Sequence, residues 1–500
     1  MERRVGLVDL GSGTARLVVY AYVPGRRYRL VDELREPVRL GQGLARSGRL
    51  APEAVLRALA FLAAVQDYAQ ATGLERLDVF ATSAVRSAEN ARELLEPARR
   101  MGLAPRVLSG EEEARYGVLA VSGGFELEDA WVVDLGGGSA QLSRMRRRAF
   151  AGGRAYPLGA VRLYERFLEH DPPKPREVRA LEREVKAQLA DALPELERAR
   201  LPLVAMGGTV RNLARAVQRA GRYPLERLHG YALTRDALEA LTEKLLTKSA
   251  AARRRVPGLS ADRADVIVAG ALAYRTLLRA GGFSELFVSG FGLREGVFFE
   301  HFLPPPHRPD SVRALHLANL EARFAELAQH TQSVRALALR LFDALAPRFG
   351  MTAEDRVLLE AAARVHDVGL TVDFYDHHKH GAYLVLQHTL AGWSHREQAL
   401  LALLVRYHRK GRPRPGALAP LLEAGDEVRL ARLAVLLRLA EHLERARSGR
   451  VKRLEVEVGN EEVTLRVGGP ENPWVEVWEA QKDAGLFERA FGLRLRVLGV

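Results

Sequence analysis

The chain has 500 residues, 47% hydrophobic and 27% charged, and a formal net charge of +13 carried far more by arginine than by lysine. That length accommodates two to four domains, and the balance is that of a soluble globular protein with a surface that attracts polyanions. There is no cysteine, so disulfide frameworks and thiolate metal sites are excluded. No apolar run reaches about 18 residues, so neither a signal peptide nor a membrane span is expected and a cytoplasmic location fits.

In chain order, Val5–Leu10 and Arg16–Val23 read as strands, Pro52–Thr72 as a helix, Leu77–Thr82 as a strand and Ala88–Met101 as a helix. The pattern restarts near residue 126, with strands at Ala130–Leu135, Leu203–Met206 and Glu285–Ser289. Phe302-Leu-Pro-Pro-Pro-His-Arg-Pro309 reads as a linker, because clustered prolines continue neither helix nor strand. From Ser311 to Arg447 apolar residues recur at spacings of three and four, the helical period. Arg453–Val458 and Glu462–Val467 alternate around Gly459-Asn460 as a hairpin does. A helix near Glu479–Ala490 and a strand at Leu493–Val500 complete the tail. The expected domains are 1–125, 126–303, 311–447 and 448–500.

One element repeats. Val8-Asp-Leu-Gly-Ser-Gly-Thr-Ala-Arg-Leu17 returns 125 residues later as Val133-Asp-Leu-Gly-Gly-Gly-Ser-Ala-Gln-Leu142. Each copy is an apolar strand, an acid, glycines and a hydroxyl. The predicted form is a strand ending in a carboxylate, then a turn whose bare amides approach an anion. Two such turns predict a duplicated domain with a phosphate clamped between the halves. Gly11, Ser12, Gly13 and Thr14, with Gly136, Gly137, Gly138 and Ser139, are the candidate phosphate ligands. Asp9 and Asp134 are the candidate Mg²⁺ carboxylates. Arg86 follows a strand closely enough to reach the same cleft, where a guanidinium suits a phosphoryl oxygen. The run Glu111-Glu112-Glu113 offers a general base, or an acidic helix start capped by Ser109. The residues alone do not choose among the three glutamates.

The ordered set VDLGSGTARLVVY (8–20), ATSAVRSAEN (81–90), LSGEEEARYG (108–117), VVDLGGGSAQL (132–142), MGGTVRN (206–212), LSADRADVIVAGA (259–271) and SGFGLREGV (289–297) resembles the exopolyphosphatase / guanosine pentaphosphate phosphohydrolase (Ppx/GppA) family. The resemblance implies an α/β fold of duplicated actin-like (ribonuclease H-like) domains flanking a cleft, then an all-α HD-like domain and a small α+β tail. It implies Glu113 as the catalytic residue, Arg86 beside it, Mg²⁺ as cofactor and a homodimer. Gly207, Gly208 and Thr209 resemble the family's third phosphate turn. Arg263 and Asp265 fall in a segment resembling its cleft helix, and a surface salt bridge explains them equally well. Three positions depart from the pattern: Gln141 where the family carries an acid, Gly13 where it carries asparagine, and Gly290-Phe291 where many members carry an acid. The expectation at the first is that Gln141→Glu raises Mg²⁺-dependent hydrolysis.

Farther on, His330, His366-Asp367 and Glu441 resemble in order the metal site of HD domains, with Glu441 where those enzymes use aspartate. Imidazole and carboxylate suit a divalent transition metal, and a structural or phosphate-binding role is the alternative. The basic segments His377–His380 and Arg406–Arg414 offer a path for a long polyanion. The expected activity is release of orthophosphate from the ends of inorganic polyphosphate. The alternatives are 5′-dephosphorylation of guanosine pentaphosphate and, in another class, a sensor that binds polyphosphate or the alarmone without turnover. A sugar-kinase-like ATPase shares the loops but leaves SGEEEAR unexplained, and nucleic-acid binding rests on charge alone.

Overall fold

The protein is described by a computed structural model that covers residues 2–322 and 328–500. They divide into two compact units, Met1–Leu315 and His316–Val500. No helix among the described residues is long and apolar enough to cross a membrane.

The first unit holds two sheets. Strands β1 (Arg3–Leu10), β2 (Ala15–Val23), β3 (Arg27–Glu36), β4 (Arg76–Ala81) and β5 (Arg106–Val107) lie in the order β3-β2-β1-β4-β5. Strands β6 (Ala130–Leu135), β7 (Ala140–Arg146), β8 (Ala149–Tyr156), β9 (Leu203–Met206), β10 (Tyr231–Thr234) and β11 (Glu285–Val288) lie in the order β10-β11-β9-β6-β7-β8. Counted from β8, the second sheet repeats the first: two antiparallel steps, then two parallel ones, with β10 added at the edge. This is the duplication that the repeat predicts, in the actin-like α/β form that the family resemblance implies.

Alternation sets the packing. Val8 and Leu10 of β1 face a core shared with the helix Pro52–Thr72. Val5 and Leu7 face the opposite side, against Phe298, Phe299 and Phe302 of the helix Leu293–Phe302. The helix Gly110–Gly124 serves both sheets: Tyr116 and Leu119 join the core over the first, and Val118 and Val121 the core over the second. Its closest neighbour is the helix Leu293–Phe302, where a Cβ on Gly296 would stand 2.0 Å from the Tyr116 carbonyl oxygen. The helix carrying the glutamate run is therefore fixed between the two halves.

Two expected helices differ from the sequence reading. The one expected over Ala88–Met101 starts at Arg92, after a separate short helix Ser83–Ser87. The Asn90 side chain accepts from the Leu50 amide (2.7 Å) and donates to its carbonyl (3.1 Å), which holds the chain in a turn. The tail helix resolves into Trp474–Gln481 and Ala484–Phe491, separated where Asp483 meets His442 at 3.0 Å.

The second unit is built from the helices Ala328–Phe349, Ala353–Val365, His377–Gln387, His395–Tyr407 and Asp426–His442. Strands β12 (Arg453–Val458), β13 (Glu462–Gly468) and β14 (Arg494–Gly499) form its three-stranded sheet. Helices and sheet share one hydrophobic core: Leu433 and Leu437 belong with Val463, Leu465 and Val497.

Candidate active site

The repeated segments form two hairpin turns, Gly11–Thr14 between β1 and β2 and Gly136–Ser139 between β6 and β7. The amide of Gly11 donates to the Thr14 carbonyl (3.2 Å), and that of Gly136 to the Ser139 carbonyl (2.9 Å). The carbonyls of Ser12 and Gly13 accept from Gly41 and Arg39, and those of Gly136 and Gly137 from Ala160 and Val161. With the carbonyls anchored outward, the amides of Ser12, Gly13, Gly137 and Gly138 have no acceptor among the described residues. Free, pre-positioned amides of this kind bind anions. The turns abut: a Cβ on Gly137 would stand 3.0 Å from the Ser12 Cβ, and the Ser12 hydroxyl lies 3.1 Å from that of Ser83.

Asp9 and Asp134 occupy matching positions, opposite Arg16 and Gln141 on the paired strands. Asp9 Oδ1 is buried and has no hydrogen-bond partner among the described residues. Burial raises the Asp9 carboxyl, against Arg294 and Arg16. Asp134 is pushed up to about 6 by burial, against Arg211 and with Asp9. Gly207 has φ +95°, and a Cβ there would fall 2.6 Å from Asp134 Oδ1, so only glycine fits.

The helix Gly110–Gly124 separates the three glutamates. Ser109 caps it, with its hydroxyl accepting from the Glu112 amide (3.1 Å) while Glu112 Oε2 accepts from the Ser109 amide (2.8 Å), a capping box. Glu111 is exposed. Glu113, two positions on, lines the cleft. Its Oε1 pairs with Arg86 Nη1, which also donates to the Leu108 carbonyl at 2.5 Å. Its Oε2 accepts from the Gln141 amide at 3.1 Å, and Gln141 donates to the Ser139 hydroxyl at 2.9 Å. Burial lifts the Glu113 carboxyl to about 7, further raised by Asp134 and Asp9 and opposed by Arg86.

The cleft, about 180 Å³, sets these three carboxylates against five guanidiniums, Arg16, Arg35, Arg211, Arg263 and Arg294. Burial and the neighbouring Arg294 pull Arg16 down to about 10 and also lower Arg211. Arg294 Nε is buried and unpartnered among the described residues. Crowded guanidiniums that remain charged are stabilised by a polyanion.

Residues 18–304 match the Ppx/GppA phosphatase family, and residues 312–479 match Ppx/GppA phosphatase, domain III. The chain belongs to the Ppx/GppA phosphatase family. It is 27% identical over 449 residues to the guanosine-5′-triphosphate,3′-diphosphate pyrophosphatase of Vibrio vulnificus, covering 86% of each chain. It is 32% identical over 299 residues to exopolyphosphatase 1 of Mycobacterium bovis, covering 59% of this chain and 87% of that one. The crystal structure of the Aquifex aeolicus family member matches with a TM-score of 0.52 at 29% identity, over 60% of this chain and 98% of that one. An exopolyphosphatase from Cytophaga hutchinsonii shares the fold, with a TM-score of 0.57 at 23% identity over 60% and 98%.

Within this Ppx/GppA phosphatase, the cleft gathers Asp9, the first glycine turn, Gly136, Gly137 and Ser139 of the second, Glu113, Asp134, Gly207 and Gly208. Three expected ligands fall elsewhere. Thr209 is buried behind the third turn, where a Cβ on Gly270 would meet its methyl at 2.3 Å. Gly138 lines a small adjoining cavity with Ser83 and Arg162. Arg86 does not line the cleft and is spent on Glu113 and Leu108. The guanidiniums that do line it come from five separated segments; Arg263 falls in the segment that resembles the family's cleft helix, Arg16, Arg211 and Arg294 lie inside other matching motifs, and Arg35 lies in none. In the domain III region, His330, His366, Asp367 and Glu441 are brought together, all buried. Burial disfavours charge on His366, but Asp367 and Glu441 outweigh it and lift the imidazole to about 9. His377, expected on an open polyanion path, is buried instead.

Proposed function

We propose that the cleft hydrolyses the terminal phosphoanhydride of inorganic polyphosphate, releasing orthophosphate. The observation that carries this reading is Glu113, held between Arg86 and Gln141 on a rigid helix and facing two turns of free amides. The turns and the arginines bind the terminal phosphate and spread its charge. Water attacks the terminal phosphorus in line; its proton passes to Glu113 as the new P–O bond forms and the bridging P–O bond breaks. The shortened chain leaves as the other product. A carboxyl that titrates near neutrality is suited to accept that proton.

The carboxylate pair fits Mg²⁺: Asp9 offers an unpartnered buried oxygen and Asp134 sits in the matching position. An ion on two carboxylates takes its remaining ligands from phosphate and water. Bound there, Mg²⁺ would neutralise phosphoryl oxygens.

A second reading, removal of the 5′ γ-phosphate of guanosine pentaphosphate, is favoured by a side pocket of about 150 Å³ that shares Ser12, Gly13, Thr14, Gly137 and Arg263 with the cleft. Its wall carries Tyr164, Glu165, Asp262 and Asp265. Glu165 accepts from the Gly43 amide at 2.8 Å, while its Oε2 is buried and unpartnered among the described residues. A carboxylate beside an aromatic ring receives the N–H donors of a guanine or the hydroxyls of a ribose, and polyphosphate has neither. Phosphate release from long-chain polyphosphate and from guanosine pentaphosphate, with and without Mg²⁺, separates the readings. Polyphosphate turnover untouched by Glu165→Gln supports the first. Turnover of the nucleotide alone, with KM raised by Glu165→Gln, supports the second. Release from neither overturns both.

A further inference from the structure

The helical unit contains more ligand-type atoms than one ion uses. We propose that it holds two divalent transition-metal ions, bridged by Asp367: one on His330, His366, Glu441 and Asp367, the other on Asp367, His377 and His408. All six side chains are 0–5% exposed.

The geometry fits coordination shells. Around the first position the separations are 3.4 Å for His330 Nε2 to His366 Nε2, 3.0 and 3.1 Å from these to Glu441 Oε2, and 3.6 and 3.8 Å to Asp367 Oδ2. Around the second, His377 Nε2 lies 3.2 Å from His408 Nε2, and these lie 3.3 and 3.5 Å from Asp367 Oδ1. Tetrahedral ligands 2.0–2.2 Å from a metal stand about 3.3–3.6 Å apart. The two carboxylate oxygens of Asp367 thus face different nests, as a bridging ligand does. The second nest has three protein ligands and an open position, the arrangement of sites that bind water or substrate.

Tautomers supply an independent argument. Nδ1 of His366, His377 and His408 lies 2.8, 2.9 and 2.7 Å from the carbonyls of Ala363, Phe374 and Val405, each three residues back. A carbonyl only accepts, so each Nδ1 carries a proton and each ring turns its Nε2 inward, where a metal ion can take the place of a second proton. Fixing the outer nitrogen in this way is how proteins orient metal-binding histidines. Nε2 atoms 3.2–3.4 Å apart beside carboxylate oxygens require positive charge among them, as protons or as metal ions. Asp367 Oδ1 is buried without a hydrogen bond to a described residue. Arg447 donates to Oδ2 at 2.6 Å, and Arg409 stands 3.4 Å from His377 Nδ1; neither reaches the converging Nε2 atoms. Imidazole with carboxylate selects Zn²⁺, Mn²⁺, Fe²⁺ or Co²⁺ over Mg²⁺.

The test is metal content of the full chain, stripped with chelator and reloaded with Co²⁺ or Zn²⁺, read by elemental analysis and by the visible absorption of Co²⁺. The wild type should take two ions per chain. Glu441→Gln and His408→Asn should each take one, Asp367→Asn none, and the cleft pair Asp9→Asn with Asp134→Asn should still take two. The absorption of the wild type should carry histidine-ligated, low-coordinate Co²⁺ bands, which needs no variant to fold. A wild type that takes one ion or none, or an Asp367→Asn chain of native circular dichroism that takes two, overturns the proposal.

Discussion

The cleft of the first unit and the buried cluster of the second are opposites in charge logic. In the cleft, Arg16 and Arg35 are paired with Glu33 and Asp262, but Arg211, Arg263 and Arg294 form no ion pair with a described residue and stand with a row of free amides, so the pocket is short of negative charge. In the cluster, imidazole nitrogens and carboxylate oxygens converge with Arg447 and Arg409 only at the margin, so the nest attracts positive charge. Each imbalance specifies its guest. On the proposals made above, the first receives a polyanion and the second receives cations.

The largest effect that bears on this contrast is at Glu113. Replacing it by glutamine leaves the cation surplus in place and removes the base, so kcat should fall by about 10²–10⁴ with KM little changed. A proportionate rise in KM would make Glu113 a binding group. Removing one cation tests the other side: Arg294→Ala should raise KM for a phosphate chain roughly 10–100-fold, since a charged hydrogen bond contributes about 1.5–3 kcal/mol. That penalty should shrink as salt rises. Gly207→Ala places a methyl against Asp134 at positive φ and should cost about 1–3 kcal/mol of stability, visible in thermal melts. The smallest change is at Gln141, whose amide faces Glu113. Gln141→Glu sets a like charge there, and the acid limb of the rate profile should move up by about one pH unit in low Mg²⁺. At saturating Mg²⁺ turnover should rise. A limb that stays in place would remove Gln141 from the environment of the base.

Much of this contrast was legible in sequence, for local reasons. The two turns are contiguous motifs duplicated at fixed spacing, so Asp9, Asp134 and their glycines were readable directly. Among Glu111, Glu112 and Glu113 the resemblance pointed to Glu113, but the physical reason needed the helix, because Glu112 is consumed by the capping box while Glu113 turns into the cleft. Arg263 was readable as a possible cleft residue, but Arg16, Arg35, Arg211 and Arg294 were not picked out, because they meet only through the fold in a chain where arginine is everywhere. His377 and His408 sit in basic stretches that read as solvent-facing, yet helix packing turns their rings inward to Asp367. Strand β3 carries no apolar face to announce it, since most of its residues are exposed.

The central claim, that Glu113 is the base of the cleft, is tested most directly by the pH dependence of kcat for phosphate release, wild type against Glu113→Gln. The base must be unprotonated to take the water proton, and its carboxyl titrates at about 7. Wild-type kcat should therefore be level above that pH and fall tenfold per unit below it, while the residual rate of the variant is flat across the same range. A variant that keeps the wild-type acid limb would contradict the account.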